Sequence, residues 1–415
     1  MHHFRYLSRH YLSHRVVLVA LLALVAVSGC ATRPVPLPKD TVSALPWGAI
    51  DERNYDIEAE AREAREATAL DTAKSFDPDG DGRPNYALLA LSGGGSRGAF
   101  GAGILTGWTK RGSRPEFKVV TGVSTGALMA TPVFLGPKYD AELVRFYTST
   151  TDKDVFSGPS YFDALFGVSV MNTAPLQRTL RERLPDAMID EVAAAHRKGR
   201  RLYVGTTDLD GNRLVIWDMG AIAASGRPDR YERYRQVLLA SASIPVAFPP
   251  VYFPVEVGGK RYYQMHVDGG ASANIFFTGF MLKLQAAIER ERIGTLRPQV
   301  DFYAILNGPL EPSPLSEAIS PTVFAIASGM LWTTSWSAQL SQLGVMYAAT
   351  QQLGIGYHIV GLPPDYPDPP PVATFDPPRM VKLLQYGESL WEHGEPWRTK
   401  PPAFLPGIGG EAGSR

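Results

Sequence analysis

Gly122-Val123-Ser124-Thr125-Gly126, a serine flanked by small residues, is the clearest place in this 415-residue chain where covalent chemistry could begin. A G-x-S-x-G pattern between a strand and a helix permits a sharp turn that presents the serine Oγ and leaves the next backbone N–H free to donate. Gly122 and Gly126 give that turn its room. A neutral hydroxyl is a weak nucleophile, so some base must take its proton. Beyond residue 30 the histidines are His196, His266, His358 and His393. Asp268, followed by Gly269 and Gly270 at the end of an apolar run, is a candidate of another kind. A carboxylate at a strand terminus can serve as base once desolvation raises its proton affinity. Without that role, Asp-Gly-Gly is a turn.

Gly93-Gly94-Gly95-Ser96-Arg97-Gly98 lies upstream, between an apolar run and a helical pattern. Consecutive glycines let backbone N–H groups approach a ligand, and the helix start favours negative charge there, whether a phosphate or a developing oxyanion. The same letters spell GxGxxG. A dinucleotide site, however, needs an acid at the end of the second strand, where Gly122 to Gly126 stands instead, and Glu116 precedes that strand. With no Lys-Ser or Lys-Thr pair closing the loop, a Walker site is excluded.

These motifs need elements to hold them. Apolar runs predict strands at Tyr86–Leu91, Val119–Val123, Leu202–Thr206, Leu214–Trp217, Tyr262–Val267 and Phe302–Leu306. Phe100, Ile104, Leu105 and Trp108 recur at helical spacing over Ala99–Thr109, a core-facing pattern. Alternation of this kind predicts an α/β fold with a mainly parallel central sheet. From about Leu282 the pattern turns helical, notably over Ser316–Leu353, and a proline-rich end follows from Pro363.

The order Gly-Gly-Gly-x-Arg-Gly, Gly-x-Ser-x-Gly, Asp-Gly-Gly resembles the patatin-like phospholipase family, as does the proline-containing Ala242-Ser243-Ile244-Pro245-Val246-Ala247-Phe248-Pro249-Pro250 before the aspartate. The similarity runs from about Tyr86 to Phe280. It implies a three-layer α/β fold and a Ser124–Asp268 dyad that works without histidine. It further implies an oxyanion hole drawn from Gly93, Gly94, Gly95, Ser96, Arg97 and Gly98, no metal or cofactor, and membrane lipid acyl esters as substrate. The family places an acid or small polar residue before the glycines, here Ser92. Arg97 has two readings, a contact to a head-group phosphate or a local cap. Two other readings of the chain stand beside this one. Ser124, Asp268 and His358 follow the chain order of an α/β-hydrolase triad, and a lipid-binding lipoprotein could keep the fold as a scaffold without activity.

Arg5, Arg9 and Arg15 precede an uninterrupted apolar run, Val16 to Val27, which is shorter than the ~20 residues of a spanning helix and reads as a signal peptide. It ends in Val27-Ser28-Gly29-Cys30, which resembles the lipobox of bacterial lipoproteins. That resemblance implies removal of residues 1–29, a lipid anchor on Cys30 and residence in the bacterial cell envelope, with Ala31 favouring the outer membrane. One cysteine rules out an intramolecular disulfide. Pro34, Pro36, Pro38 and Pro46 suggest an extended tether, and the Glu-Ala-rich stretch Ile57–Ala73 a solvated helix. Asp77-Pro78-Asp79-Gly80-Asp81-Gly82 opens like a calcium loop, but Leu88 stands where the bidentate glutamate belongs, so a polar turn is expected. The expected organisation is a signal peptide (1–29), tether and linker (30–85), catalytic domain (86–281) and helical C-terminal region with a proline-rich tail (282–415). The 41 basic residues balance 41 acidic ones, leaving no net field to recruit nucleic acid.

Overall fold

The strands in chain order are β1 (Ala49–Ile50), β2 (Asn85–Leu91), β3 (Phe117–Val123), β4 (Arg201–Asp208), β5 (Arg213–Asp218), β6 (Val251–Val257), β7 (Lys260–Asp268), β8 (Gln299–Pro309) and β9 (Gly356–Leu362). The principal helices are α1 (Gly98–Arg111), α2 (Thr125–Leu135), α3 (Asp140–Ser149), α4 (Ala174–Arg183), α5 (Asp186–Arg197), α6 (Met219–Ala224), α7 (Arg230–Ser241), α8 (Val323–Leu353) and α9 (Pro377–Ser389). The computed structural model describes residues 33–41, 43–50, 85–158, 171–277, 299–311, 318–367 and 374–402. The signal segment, Cys30, the Glu-Ala-rich stretch and the Asp77–Gly82 loop lie outside the described residues.

One sheet holds all of these strands, in the order β1-β5-β4-β3-β2-β8-β9, with β7 and β6 continuing from β4. The five from β4 to β9 are parallel. Helices cover both faces. Leu89 and Leu91 of β2 point into one apolar core with α1, α2 and α7, while Leu88 and Ala90 point into a second core with the latter half of α8. A strand buried on both sides must be apolar throughout, which is why Tyr86–Leu91 reads as an unbroken run rather than an alternation.

The sheet does not stop at residue 281. The segment expected to form a helical C-terminal region contributes β8 and β9, and β8 pairs with β2 from Asn85↔Gln299 to Leu91↔Ile305. Neither β9 nor β6 is among the strands expected from the sequence: the run of β9 is only Tyr357-His358-Ile359-Val360, with a histidine inside it, and Pro254 interrupts β6. Pro254 is tolerated because β6, among the described strands, pairs with β7 alone and leaves its other side unpaired. On the outer layer α9 lies across α1 in close backbone contact. A Cβ on Gly103 would come within 2.0 Å of the Leu384 carbonyl oxygen.

Candidate active site

β3 ends directly in Ser124, whose φ of 55° and ψ of −124° are unusual for a residue with a side chain. The turn closes so tightly that a Cβ on Gly122 would meet the Gly126 carbonyl oxygen at 2.5 Å, and one on Gly126 would meet that of Leu91 at 2.3 Å. No other residue fits at either position. Ser124 caps α2, and its own N–H donates to Ser241 Oγ at 3.0 Å. Ser241 Oγ in turn donates to the Gly205 carbonyl at 2.7 Å.

The register of the sheet explains how Asp268 reaches this point. β3 pairs with β4 up to Val123↔Gly205 and then turns away at Ser124. β7 takes over the vacated edge of β4 in the antiparallel sense, beginning with Thr206↔Asp268. The last residue of β7 therefore arrives where β3 ends. Asp268 N–H donates to the Ser243 carbonyl at 2.8 Å, and Thr207 Oγ1 donates to the Asp268 carbonyl at 3.0 Å, fixing the backbone on both sides. Its Oδ1 accepts from Gly270 N–H at 2.7 Å. Oδ2 is buried and accepts no well-formed hydrogen bond among the described residues. Desolvation pushes the carboxyl pKa up to about 7, against the smaller opposing pulls of the nearby Ser124 hydroxyl and the Gly270 N–H. A carboxylate so placed is a competent base near neutral pH.

The glycine loop joins β2 to α1 beside Ser124. Among its six residues, Gly93 N–H donates to Asn274 O, Arg97 N–H to Gly94 O, and Gly98 N–H to Gly95 O and Ser96 O. The amides of Gly94 and Gly95 have no protein acceptor among the described residues. As an anion donor the loop is thus narrower than its sequence suggests. Gly94, at φ 156°, packs against Asn307, whose carbonyl oxygen would lie 1.9 Å from an added Cβ. Gly94→Ala is therefore expected to displace the loop and cut esterase kcat/KM by at least about 100-fold, the scale of losing one oxyanion donor. Steady-state kinetics on a nitrophenyl ester check this. Ser96 Oγ accepts from Arg379 of α9 at 3.1 Å. Arg97 is buried with its guanidinium over the Trp332 ring, 5.4 Å from the centroid, so it ties the loop to α8.

His358 and His266 are both engaged by other partners. His358 of β9 is level with Tyr303, Leu89 and Val120 in the neighbouring strands. That leaves it three strands, about 14 Å, across the sheet from Ser124 and about 13 Å back along it. It pairs instead with Asp301 at 3.0 Å and stacks on Tyr303. The Ser124/Asp268/His358 triad is not assembled. His266 is buried, bonded through Nδ1 to Thr206 Oγ1 at 2.8 Å and packed against Trp217 and Phe253. Burial lowers its pKa to about 3, keeping it neutral.

Sequence reasoning missed the residues that brace the site. Ser241 closes α7 and Ser243 lies within the proline-containing segment that follows, and only that segment could have pointed to them. Asn307 donates Nδ2 to Ser92 O and its backbone N–H to Ser92 Oγ, both at 2.8 Å, which pins the start of the glycine loop to β8. Ser335 of α8 donates to the Gly270 carbonyl at 2.7 Å.

Residues 89–281 match the family described as patatin-like phospholipase. Patatin-T5 of Solanum tuberosum is 24% identical over 204 residues, covering 45% of this chain and 50% of that protein. The chain thus spans about half the length of this curated relative. Among solved structures, VipD from Legionella pneumophila aligns over 73% of this chain and 67% of its own, at 14% identity and a TM-score of 0.31. ExoU from the type III secretion system of Pseudomonas aeruginosa, in complex with SpcU, aligns over 74% and 51%, at 13% identity and a TM-score of 0.31. With its glycine loop, serine elbow and Asp-Gly-Gly turn in that order on one edge of a mainly parallel sheet, the chain carries a patatin-like phospholipase domain over residues 89–281.

Proposed function

We propose that this chain is a serine acyl-ester hydrolase of membrane lipids that works through a Ser124–Asp268 dyad. The observation that carries the reading is the seating of a desolvated, half-satisfied carboxylate at the point where β3 delivers Ser124. Asp268 takes the proton from Ser124 as Oγ bonds to the ester carbonyl carbon. The carbonyl oxygen becomes an oxyanion, and the N–H groups of Gly94, Gly95 and Thr125 are the donors available to it, aided by the N-terminus of α2. As the intermediate collapses, the bond to the alcohol breaks and Asp268 returns its proton to that leaving group. Water then gives a proton to Asp268 and adds to the acyl-enzyme, and as this second intermediate collapses the bond to Oγ breaks, Asp268 returns its proton to Ser124 Oγ and the fatty acid leaves.

The anchoring reading belongs to the same proposal. A lipid on Cys30 would hold the enzyme at the bacterial cell envelope beside its substrate, and two or more acyl chains suffice for stable attachment.

Fatty-acid release from phosphatidylcholine, lysophosphatidylcholine and a short nitrophenyl ester, in the presence of EDTA, tests the activity. Release that survives the chelator is expected, together with covalent labelling by a fluorophosphonate. A folded chain that releases nothing and takes no label would favour the non-catalytic lipid-binding scaffold.

A further inference from the structure

We propose that the sheet edge bearing Ser124 is itself a lipid-docking face, pressed to the membrane by a clamp on the tether at one side and an uncharged helix at the other. The inference rests on the lipid-hydrolase and Cys30-anchor readings, and it adds which surface meets the bilayer.

The first observation is where the chain enters. Arg33 donates Nη1 and Nη2 to Asp210 Oδ1 and Oδ2 at 3.0 and 2.7 Å, a bidentate pair. Asp210 lies in the turn after β4, and β4 runs parallel to β3, so that turn is on the edge where Ser124 emerges. Val35 O accepts from Tyr263 N–H at 2.9 Å, which fixes the following residues to β7. Cys30 is three residues before Arg33 in the sequence, and three residues span at most about 10 Å, so a lipid on Cys30 would be tied close to the clamp.

The second is α8. Ser335 rests on Gly270 and Trp332 on Arg97, and the helix continues for twelve more residues to Val323, roughly 18 Å at the usual rise. All 31 of its residues lack ionisable carboxylate, amine, guanidine or imidazole groups. A helix partly open to water ordinarily turns charges outward. Here Ile326 and Met330 are 49% and 66% exposed. The uncharged first half of α8 thus offers exposed apolar side chains for insertion into a lipid surface.

The third is the distribution of exposed apolar side chains. Eight large ones are exposed among the described residues. Val35 and Leu209 flank the Arg33–Asp210 clamp. Val246, held at φ 71°, belongs to the turn whose Ser243 carbonyl holds Asp268. Ile319, Ile326, Met330 and Trp332 lie at or before the first half of α8, and Val345 alone is remote. Scattered exposed apolar residues are ordinary, but a rim of them around one site is an interaction surface. A lipid surface fits this rim because it asks for apolar insertion, offers no demand for charge, and is reached by the tether from the same edge.

The test uses the full chain with Ile326→Glu and Met330→Glu combined. Hydrolysis of phosphatidylethanolamine/phosphatidylglycerol vesicles is expected to fall at least ten-fold, while turnover of monomeric nitrophenyl butyrate stays within two-fold. Unchanged vesicle hydrolysis in a chain that turns over the soluble ester overturns the docking face and leaves the hydrolase reading intact. A second measurement needs no turnover. A polarity-sensitive fluorophore on Met330→Cys should shift to the blue when vesicles are added, and the same label on Ser113→Cys, at the opposite edge, should not. The parent chain treated alike reports any label at Cys30 and so tests the anchor separately. No shift at 330 overturns the proposal, as does a shift already present without vesicles in a chain that sediments as a dimer, which would make a second copy the occupant.

Discussion

Ser124→Ala is expected to lower kcat/KM for ester hydrolysis by about 10⁴-fold or more, and Asp268→Asn by a comparable factor. Each residue is useless without the other, so the double variant should be hardly worse than either single one. Ser124 is held by the α2 cap and by Ser241, and neither contact uses its hydroxyl, so the alanine chain should keep the parent's fold and melting profile. Asp268→Asn keeps the oxygen that accepts from Gly270 and loses only the ability to take a proton. Activities on nitrophenyl butyrate, measured on chains of equal near-ultraviolet dichroism, check both. A Ser124→Ala chain retaining a tenth of the activity would remove Ser124 from the mechanism, and additive losses would show that the two residues do not act as a unit.

The second expectation concerns pH. With burial pushing the Asp268 pKa up to about 7, kcat/KM should rise about ten-fold per pH unit below that point and level off above it. The same shift has a consequence for stability, of opposite sign. Between the ordinary aspartate value near 4 and about 7 the folded chain holds a proton that the unfolded chain has released. Stability from this group is therefore complete below pH ~4, is lost as pH rises through 7, and changes no further above it. The loss amounts to a few kcal/mol, on the order of 1.4 for each unit of pKa displacement. Asp268→Asn has no charge to bury, so it should melt several degrees above the parent at pH 8, a gap that closes toward pH 4 to 5. Thermal melts of the two chains across that range decide it. An equal gap at every pH would mean that Asp268 does not titrate as its burial dictates.

How much of this was legible beforehand depended on the range of the interaction. The serine turn and glycine loop are local, fixed by small residues next to one another, and Gly122, Ser124, Gly94 and Asp268 could be named from their neighbours alone. The strands around them were visible as apolar runs because a strand buried on both faces cannot hide its composition. What could not be read was pairing across distance. Nothing near Ser241 indicates that its hydroxyl will bridge Ser124 to Gly205, and nothing near Asn307 indicates that it will hold Ser92. His358 shows the converse. Its chain order suited a triad, but the register of four strands sets it far from the serine and beside Asp301. The glycine loop's position between β2 and α1 was legible, but the sequence could not show that three of its amides are consumed by contacts that only the folded turn creates.

The seven-residue pairing of β2 with β8 bears on ancestry as well as on shape. The span shared with patatin-like relatives closes at residue 281, yet the strand that feeds the glycine loop lies between β3 and a strand that begins at Gln299. What is recognisably inherited is therefore shorter than what must fold together. If a gene fusion or truncation kept only the shared span, it would leave β2 as an open edge with its apolar residues and unpaired N–H and C=O groups exposed, the condition under which sheets aggregate. The residues after 281 cannot be lost from the domain, because they supply the strand that covers that edge.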